Sequence, residues 1–422
     1  MNRTYSSTAG VDIISVLLYM ALVLLGFFTI YSASHTGETF EFTLQTKYGK
    51  QLLWIVVSLV IAFVVLLTES RFFEVFSFYI FGGCLVLLAI VLVVGVEVNG
   101  AKSWIQLGGF RLQPAEFTKF GVSLALAKYL SNMDANLGKR RSQLITSTII
   151  FIPVFFIILQ GDAGSSLVYF SLILVLYREG LTGLFLVIGL VAVALFVASI
   201  AWGWTIVAGI LGVICLVGVA FNYTNKRLTR NIILISMVCA VYSFGVRTAF
   251  ENVLQKHQKT RIEVMLGLKE DRKGVGYNVD QSKIAIGSGG FSGKGFLNGT
   301  QTKGDFVPEQ HTDFIFTIVG EEFGWIGTTL VILLFVGFLL RIIHLAERQR
   351  TIFKRVYAYC VFSIFLFHMT INIAMTINLA PVIGIPLPFF SYGGSSLMTF
   401  TALLFVLLKM DAERENDLES LY

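Results

Sequence analysis

The chain predicts an all-α polytopic membrane protein of about twelve transmembrane helices, with a large extracytoplasmic loop, on three observations. Hydrophobic residues make up 55% of its 422 residues and charged residues only 14%, where soluble domains carry about a quarter charged. The apolar residues fall in runs long enough to cross a bilayer. The charges sit in short polar turns between those runs, and the net +6 is concentrated in turns suited to face anionic lipid, which speaks against a nucleic-acid partner. Cys84, Cys215, Cys239 and Cys360 each lie inside an apolar run without paired spacing, and the histidines, His344 and His368 among them, are scattered, so no protein-borne metal centre is expected.

Residues 1–10 form a polar head, and Val11 to Tyr31 read as an uncleaved first span, because no small-residue cleavage site follows a shortened core. Spans follow at about 51–67 and 75–97, joined by a brief turn carrying Glu69, Arg71 and Glu74. EVNGAKSWIQLGGFRLQ, from Glu97 to Gln113, reads as a compact polar turn with Asn-Gly and Gly-Gly breakers, and Pro114 suits the first turn of a helix to about Ser131. Glu116 and Lys119 lie three apart in that helix, on one face and able to pair, either as a structural pair or as part of a cavity lining. After the basic loop at Lys139, Arg140 and Arg141, the run 144–159 stops at Gln160-Gly161-Asp162-Ala163-Gly164. Two glycines there break the helix at membrane depth, and Asp162 either caps the helix starting near Ser165 or faces a wet cavity.

Beyond Arg178-Glu179-Gly180, runs at about 182–201, 204–221 and 230–249 are separated by Trp202-Gly203-Trp204, which suits an interface belt, and by NYTNKRLTR from Asn222. A polar segment, Phe250 to Thr312, precedes spans at about 313–340, 356–379 and 390–409. The last two are joined by APVIGIPLPF, Ala380 to Phe389, whose three prolines forbid continuous helix. The chain is organised around the glycine-rich stretch from Gly287 to Gly327, and in it around Asp313, the last polar group before Phe314, Ile315 and Phe316. A carboxylate at that boundary is a helix cap, a catalytic group, or both. GSGGFSGKGF lacks the strand, helix and spacing of a nucleotide site; its glycines permit close approach to a ligand or make a plain flexible loop, with Gly287 to Gly304 free to move over bound lipid.

The basic turns at 139–141, at Lys226, Arg227 and Arg230, and at Arg341, Arg348, Arg350, Lys354 and Arg355 fall on one side of this count. The positive-inside rule makes that side the cytoplasm, with both termini, and puts Trp104, Asp162, Asp313 and the proline-rich turn outside. Asp313, Asp162, Glu116, Lys119 and Arg111 mix both signs there, as a cavity for an anionic lipid head group requires. The cations would serve as charge-assisted phosphate donors and a carboxylate as general base toward a sugar hydroxyl, which suggests glycosyl transfer from a lipid pyrophosphate.

The motifs NGAKSWIQLG (Asn99–Gly108), QPAEFTK (Gln113–Lys119), QGDAGSSLV (Gln160–Val168) and GYNVDQSKIAIGSGGFSGKGFLNGTQTKGDFVPEQHTDFIF (Gly276–Phe316) occur in order, followed by GEEFGWIG from Gly320 and PVIGIPLPFFSYGGSS from Pro381. In content and spacing the chain resembles the shape, elongation, division and sporulation (SEDS) family of bacterial peptidoglycan polymerases, and QSKIAIGSGG and GTQT favour its rod-elongation branch. The resemblance implies an inverting glycosyltransferase that polymerises lipid II into glycan strands at the outer face of the cytoplasmic membrane, from an undecaprenyl-pyrophosphate-linked donor. It implies that Asp313, in HTDF, is the catalytic residue and that Trp104, Glu116 and Lys119 line or support the cavity. Glu309 and His311, in the same EQHTDF stretch, join Arg111 and Asp162 as candidate substrate-binding residues. The implied partners are a class B penicillin-binding protein, which supplies transpeptidation, and the membrane proteins of the elongation complex.

Two features depart from the family pattern. Gly161 and Ala163 stand where it usually has proline and leucine, and family members typically have ten spans, so 204–249 reads as a two-helix insertion in a single membrane domain, 1–422. Two added spans preserve sidedness and leave the 250–312 loop outside; partner contact or lateral packing is the insertion's expected role. No residue set demands a cofactor, and a divalent cation sharing the phosphate charge is left open. The rival reading is a flippase for lipid II, which calls for a site near the midplane open to both sides, whereas these polar residues crowd one face.

Overall fold

The computed structural model describes residues 10–34, 45–98, 100–108, 110–252, 254–271, 274–304 and 306–414, in two units, Met1–Leu181 with Asn278–Tyr422, and Thr182–Tyr277. The first unit opens with α1 (Ile13–Ser34), α2 (Lys47–Leu67), α3 (Ser70–Val75) and α4 (Ser77–Val94). Strands β1 (Val96–Val98), β2 (Ala101–Leu107) and β3 (Phe110–Leu112) lead into α5 (Pro114–Leu130) and α6 (Arg140–Leu159). Then come α7 (Ala163–Leu167), a 3-10 turn at Val168–Leu172, and α8 (Ile173–Arg178). The second unit holds α9 (Leu184–Ala201), α10 (Trp204–Asn222), α11 (Lys226–Asn252) and α12 (Lys256–Met265). After α13 (Val275–Gly289), the first unit resumes with α14 (Thr300–Lys303), α15 (Ile315–Glu347), α16 (Ile352–Thr376) and α17 (Gly394–Ala412).

Among the described residues, ten helices are long and apolar enough to cross a membrane: α1, α2, α4, α6, α9, α10, α11, α15, α16 and α17. α5, of 17 residues, and the interrupted stretch Ala163–Arg178 are shorter, so a count of twelve depends on including both. In the second unit α10 and α11 pack with α9, and Ile200, Val246 and Phe250 form a small core with Phe196, Leu254, Ile262 and Leu266. The segment 250–312, expected as an extracytoplasmic loop, carries the helices α12, α13 and α14.

Three further findings differ from expectation or add to it. First, the stretch read as a compact turn is an antiparallel meander in the order β1-β2-β3, with Val96 opposite Trp104 and Gln106 opposite Arg111. Its two connections fall at the Asn-Gly and Gly-Gly pairs, where Gly100 and Gly108 take φ of +84° and +60°, the left-handed conformation of tight hairpins. Lys102 Nζ donates to Leu92 O and Val93 O at 3.0 and 3.1 Å, closing the carbonyl end of α4.

Second, α15 is broken at Gly324, whose φ of +60° and ψ of −153° suit glycine alone. The backbone groups near the break are taken up by the glycine-rich loop. Trp325 N and Ile326 N donate to Gly290 O (2.9 Å) and Phe291 O (3.2 Å), while Lys294 N and Gly295 N donate to Glu321 O (3.1 Å) and Glu322 O (2.9 Å). Glu321, fully buried, accepts on its carboxylate from Lys294 Nζ (2.6 Å) and from the amides of Thr300, Gln301 and Thr302 (2.8, 2.8 and 2.9 Å), so it closes the amino end of α14. The expectation that Gly287 to Gly304 moves freely over a ligand is therefore corrected. Broken helix in an apolar surrounding survives only where its polar backbone is satisfied, and this loop satisfies it.

Third, the charged ends of several helices of the first unit are joined in ion pairs. Arg341 forks onto Asp12, Arg348 onto Asp411, Arg355 pairs with Glu179 at 2.8 Å, and Lys409 with Glu413 at 2.9 Å. α17 carries two of these carboxylate partners' links and is the most enclosed candidate span, 83% of its apolar window being buried, although it is also the least apolar of the ten. Tyr19 on α1 hydrogen-bonds Thr401 on α17 at 3.2 Å.

Candidate active site

Asp313 lies half-buried in the turn ahead of α15. The cap position of that helix is Phe314, and it makes no side-chain cap bond. What the structure does show around Asp313 is a rigid main chain. Three successive carbonyls each accept from a different tertiary donor: His311 O from Tyr392 N (2.8 Å), Thr312 O from Ser391 Oγ (2.6 Å) and Asp313 O from Asn372 Nδ2 (3.0 Å). Tyr392 and Ser391 belong to the segment that continues from the proline-rich turn, and Ser391 Oγ also accepts from Leu387 N at 2.9 Å. Gly384 of that turn, at φ +74°, comes so close that a Cβ there would sit 3.3 Å from Asp313 Oδ2. Glu309, exposed and at φ +54°, shapes the same turn: its carbonyl accepts from Thr312 N and Phe314 N at 3.2 and 3.3 Å. His311 is buried.

Glu116 and Lys119 do pair, with Nζ 2.8 Å from Glu116 Oε2 and both side chains enclosed. Pro114 starts α5, the carboxylate falls in the first turn, and the i, i+3 spacing places the ammonium over it. Lys119 Nζ also lies 2.9 Å from His368 Nε2 and 5.2 Å from the centre of the Phe400 ring, a cation–π contact. At 1% exposure Lys119 is a buried, neutralised ion and not an open phosphate hook. Arg111 on β3 is exposed. By the register it shares a face of the meander with Gln106 and hence with Trp104.

Asp162 serves as N-cap of α7, accepting from Ser165 N at 3.1 Å and Ser165 Oγ at 2.8 Å. It is tied to the rest as well, since Gln113 Nε2 donates to Asp162 Oδ2 at 2.8 Å and Gln113 N donates to Ser395 Oγ at 3.1 Å. Gly161, at φ +81°, makes the turn before it, and Gly164 packs directly on Ile383 O of the proline-rich turn, where a side chain would not fit.

All the predicted site residues thus lie in the first unit, on or beside the meander, the Asp162 break, the proline-rich turn and the turn before α15. Sequence reasoning missed His368 and Asn372, both fully buried on α16. The signal available was their spacing of four on an otherwise apolar helix. Among the described residues no group of three His, Cys, Asp or Glu side chains is placed to hold a metal ion.

A polytopic helical fold with ten helices, among the described residues, long and apolar enough to cross a bilayer defines a multi-pass membrane protein. A family model described as "Cell cycle protein", covering FtsW, RodA and SpoVE, matches residues 13–206 and 184–416. The chain is 30% identical over 413 residues to the peptidoglycan glycosyltransferase MrdB of Escherichia coli K12, covering 98% of this chain and 96% of that protein. It is 30% identical to the peptidoglycan glycosyltransferase RodA of Treponema pallidum, covering 96% and 98%. A chain solved in a study titled "Structural coordination of polymerization and crosslinking by a peptidoglycan synthase complex" superposes with a TM-score of 0.71 at 27% identity, covering 96% and 98%. The rod shape determining protein RodA of Thermus thermophilus shares the fold, with a TM-score of 0.63 at 24% identity, covering 97% and 99%. The chain belongs to the FtsW/RodA/SpoVE family.

Proposed function

We propose that Asp313 is the general base of a glycan polymerase that consumes lipid II. The chain is a peptidoglycan glycosyltransferase of the cell-elongation type, and it is a multi-pass membrane protein. In the proposed reaction the 4-hydroxyl of one lipid-linked sugar attacks the anomeric carbon of another. Its proton passes to Asp313, the C–O bond to pyrophosphate breaks with inversion, and the lipid pyrophosphate departs with the bonding pair. The observation that carries this reading is the triple anchoring of the His311, Thr312 and Asp313 carbonyls, which leaves the carboxylate on a fixed backbone while it stays half-exposed. A catalytic group is useful in proportion to how little it must reorganise.

Arg111, exposed on the meander, meets the leaving pyrophosphate, and Lys119 contributes from beneath, its burial making it a supporting charge. Trp104, Asp162, Glu309 and His311 complete the substrate surface in this reading. In this reading the site faces outward, and the opposite end of the helices lies in the cytoplasm of a bacterial inner membrane with both termini; the basic turns support that orientation through the positive-inside rule. A class B penicillin-binding protein and elongation-complex proteins are the partners we assign, in keeping with the synthase complex in which a structural relative was solved. Polymerisation of labelled lipid II by the purified chain and its partner tests the proposal. Asp313→Asn should abolish product; near-normal strand synthesis by that variant would remove Asp313 from the chemistry.

A further inference from the structure

The turn from Ile377 to Gly393 contains Pro381, Pro386 and Pro388, which have no N–H to give, so it cannot satisfy itself by helix or sheet. Two of its successive carbonyls, Ile385 O and Pro386 O, are instead taken by side chains one turn apart on α16. Asn372 Nδ2 donates to Ile385 O at 2.8 Å and His368 Nδ1 lies 3.0 Å from Pro386 O. A carbonyl only accepts, so the proton of His368 is on Nδ1. Its Nε2 is then the acceptor for the ammonium of Lys119, 2.9 Å away. Asn372 uses its amide a second time, on Asp313 O at 3.0 Å. Both side chains are wholly enclosed, and Asn372 Oδ1 has no hydrogen-bond partner among the described residues, an uncompensated acceptor retained where an apolar residue would pack at lower cost.

We propose that His368 and Asn372 are positioning residues, which clamp the proline-rich turn and through it hold Lys119 and Asp313 in register with one another. One helix face thereby spans the two groups of opposite sign in the site. This rests on Asp313 and Lys119 acting in glycosyl transfer, and it gives the two positions separate signatures. Asn372 acts through the carboxylate and affects turnover; His368 acts through the ammonium and affects the response to lipid II concentration.

The test is steady-state polymerisation by the full chain with its penicillin-binding partner, alongside thermal unfolding of each variant. His368→Asn keeps a short donor for Pro386 O but removes the ring nitrogen that accepts from Lys119, whose pairing with Glu116 remains. It should raise KM for lipid II about 10-fold, as expected for a bond to a charged group, and in a Lys119→Ala background it should raise it no further. His368→Gln, whose amide reaches the Nε2 position, should recover part of the loss. Asn372→Leu should lower kcat about 10-fold or more with KM within about two-fold. Should it fail to fold, Asn372→Ala carries the same expectation, because a methyl group cannot donate to either carbonyl. Additive effects of His368→Asn and Lys119→Ala, or wild-type kcat in folded Asn372 variants, overturn the inference. Asp313→Asn and Lys119→Ala run in parallel: if both lose activity while the α16 variants keep it, this inference alone fails, and if both keep activity the functional reading falls and takes the inference with it.

Discussion

Replacing Glu321 by glutamine changes one atom and separates two explanations of how the glycine-rich loop is held. In the first, the carboxylate acts on the backbone amides of Thr300, Gln301 and Thr302; in the second, its ion pair with Lys294 matters most. Oε1 receives two of those amides and Oε2 the third, so whichever oxygen becomes NH2 faces at least one N–H. The variant then loses a charge-assisted bond, about 1.5–3 kcal/mol, and strands a buried donor at about 1–3 kcal/mol more. Together these come to about 2.5–6 kcal/mol. Lys294→Met removes an ion pair whose lysine is 25% exposed, together with a 2.7 Å hydrogen bond from Nζ to Thr300 Oγ1, but leaves the three amides on the carboxylate, a contribution of about 1–2 kcal/mol after screening. Thermal unfolding in detergent, followed by monodispersity, should therefore show a larger shift for Glu321→Gln than for Lys294→Met. Equal shifts would refute the backbone-anchor reasoning, and a wild-type transition for Glu321→Gln would refute any anchoring role.

Gly324→Ala puts a Cβ against Gly290 O and Phe291 C, 2.8 and 2.9 Å away, at a φ of +60°; a loss of about 3 kcal/mol or more is expected, read as a lowered unfolding temperature. Gly384→Ala, at φ +74° with its Cβ 3.3 Å from Asp313 Oδ2, should fold but turn over lipid II more slowly, with kcat reduced about 10-fold. Burial alone would raise the Asp12 carboxyl, but hydrogen bonds from Arg341 and Ser15 outweigh it and hold it below the usual carboxylate range. Its stabilisation is thus complete above about pH 4 and is lost as pH falls through the folded value. Asp12→Asn should be less stable than wild type by a constant margin at pH 6–8, with the two unfolding curves converging below about pH 4.

Run length and charge placement carried the membrane architecture, because both depend on local composition. Motif order carried the family. The pairing of Glu116 with Lys119 was legible for the same reason, being a matter of helix periodicity. The meander was not: its strands are three to seven residues long, and the glycine pairs that join them look alike in a turn and in a hairpin. The glycine-rich loop was read as mobile because composition cannot reveal that α15 breaks opposite it and supplies the partners its backbone needs. His368 and Asn372 were hidden for a related reason. A lone polar side chain on an apolar helix acquires meaning only from the carbonyls that face it, and those come from a turn over ten residues further on.

The enclosure of α17 bears on how the molecule is made. It follows the other nine candidate spans in chain order and is the least apolar of them, yet most of its surface ends against protein, with Lys409 reaching Leu66 O on α2 at 2.8 Å. The helices made before it must therefore wait in the bilayer with an unfilled slot, and α17 enters by docking into that slot more than by partitioning into lipid. A chain halted before Gly394 would expose the slot to lipid and to other membrane proteins. Quality control that recognises such an opening would act on the unfinished molecule before any active polymerase had been released.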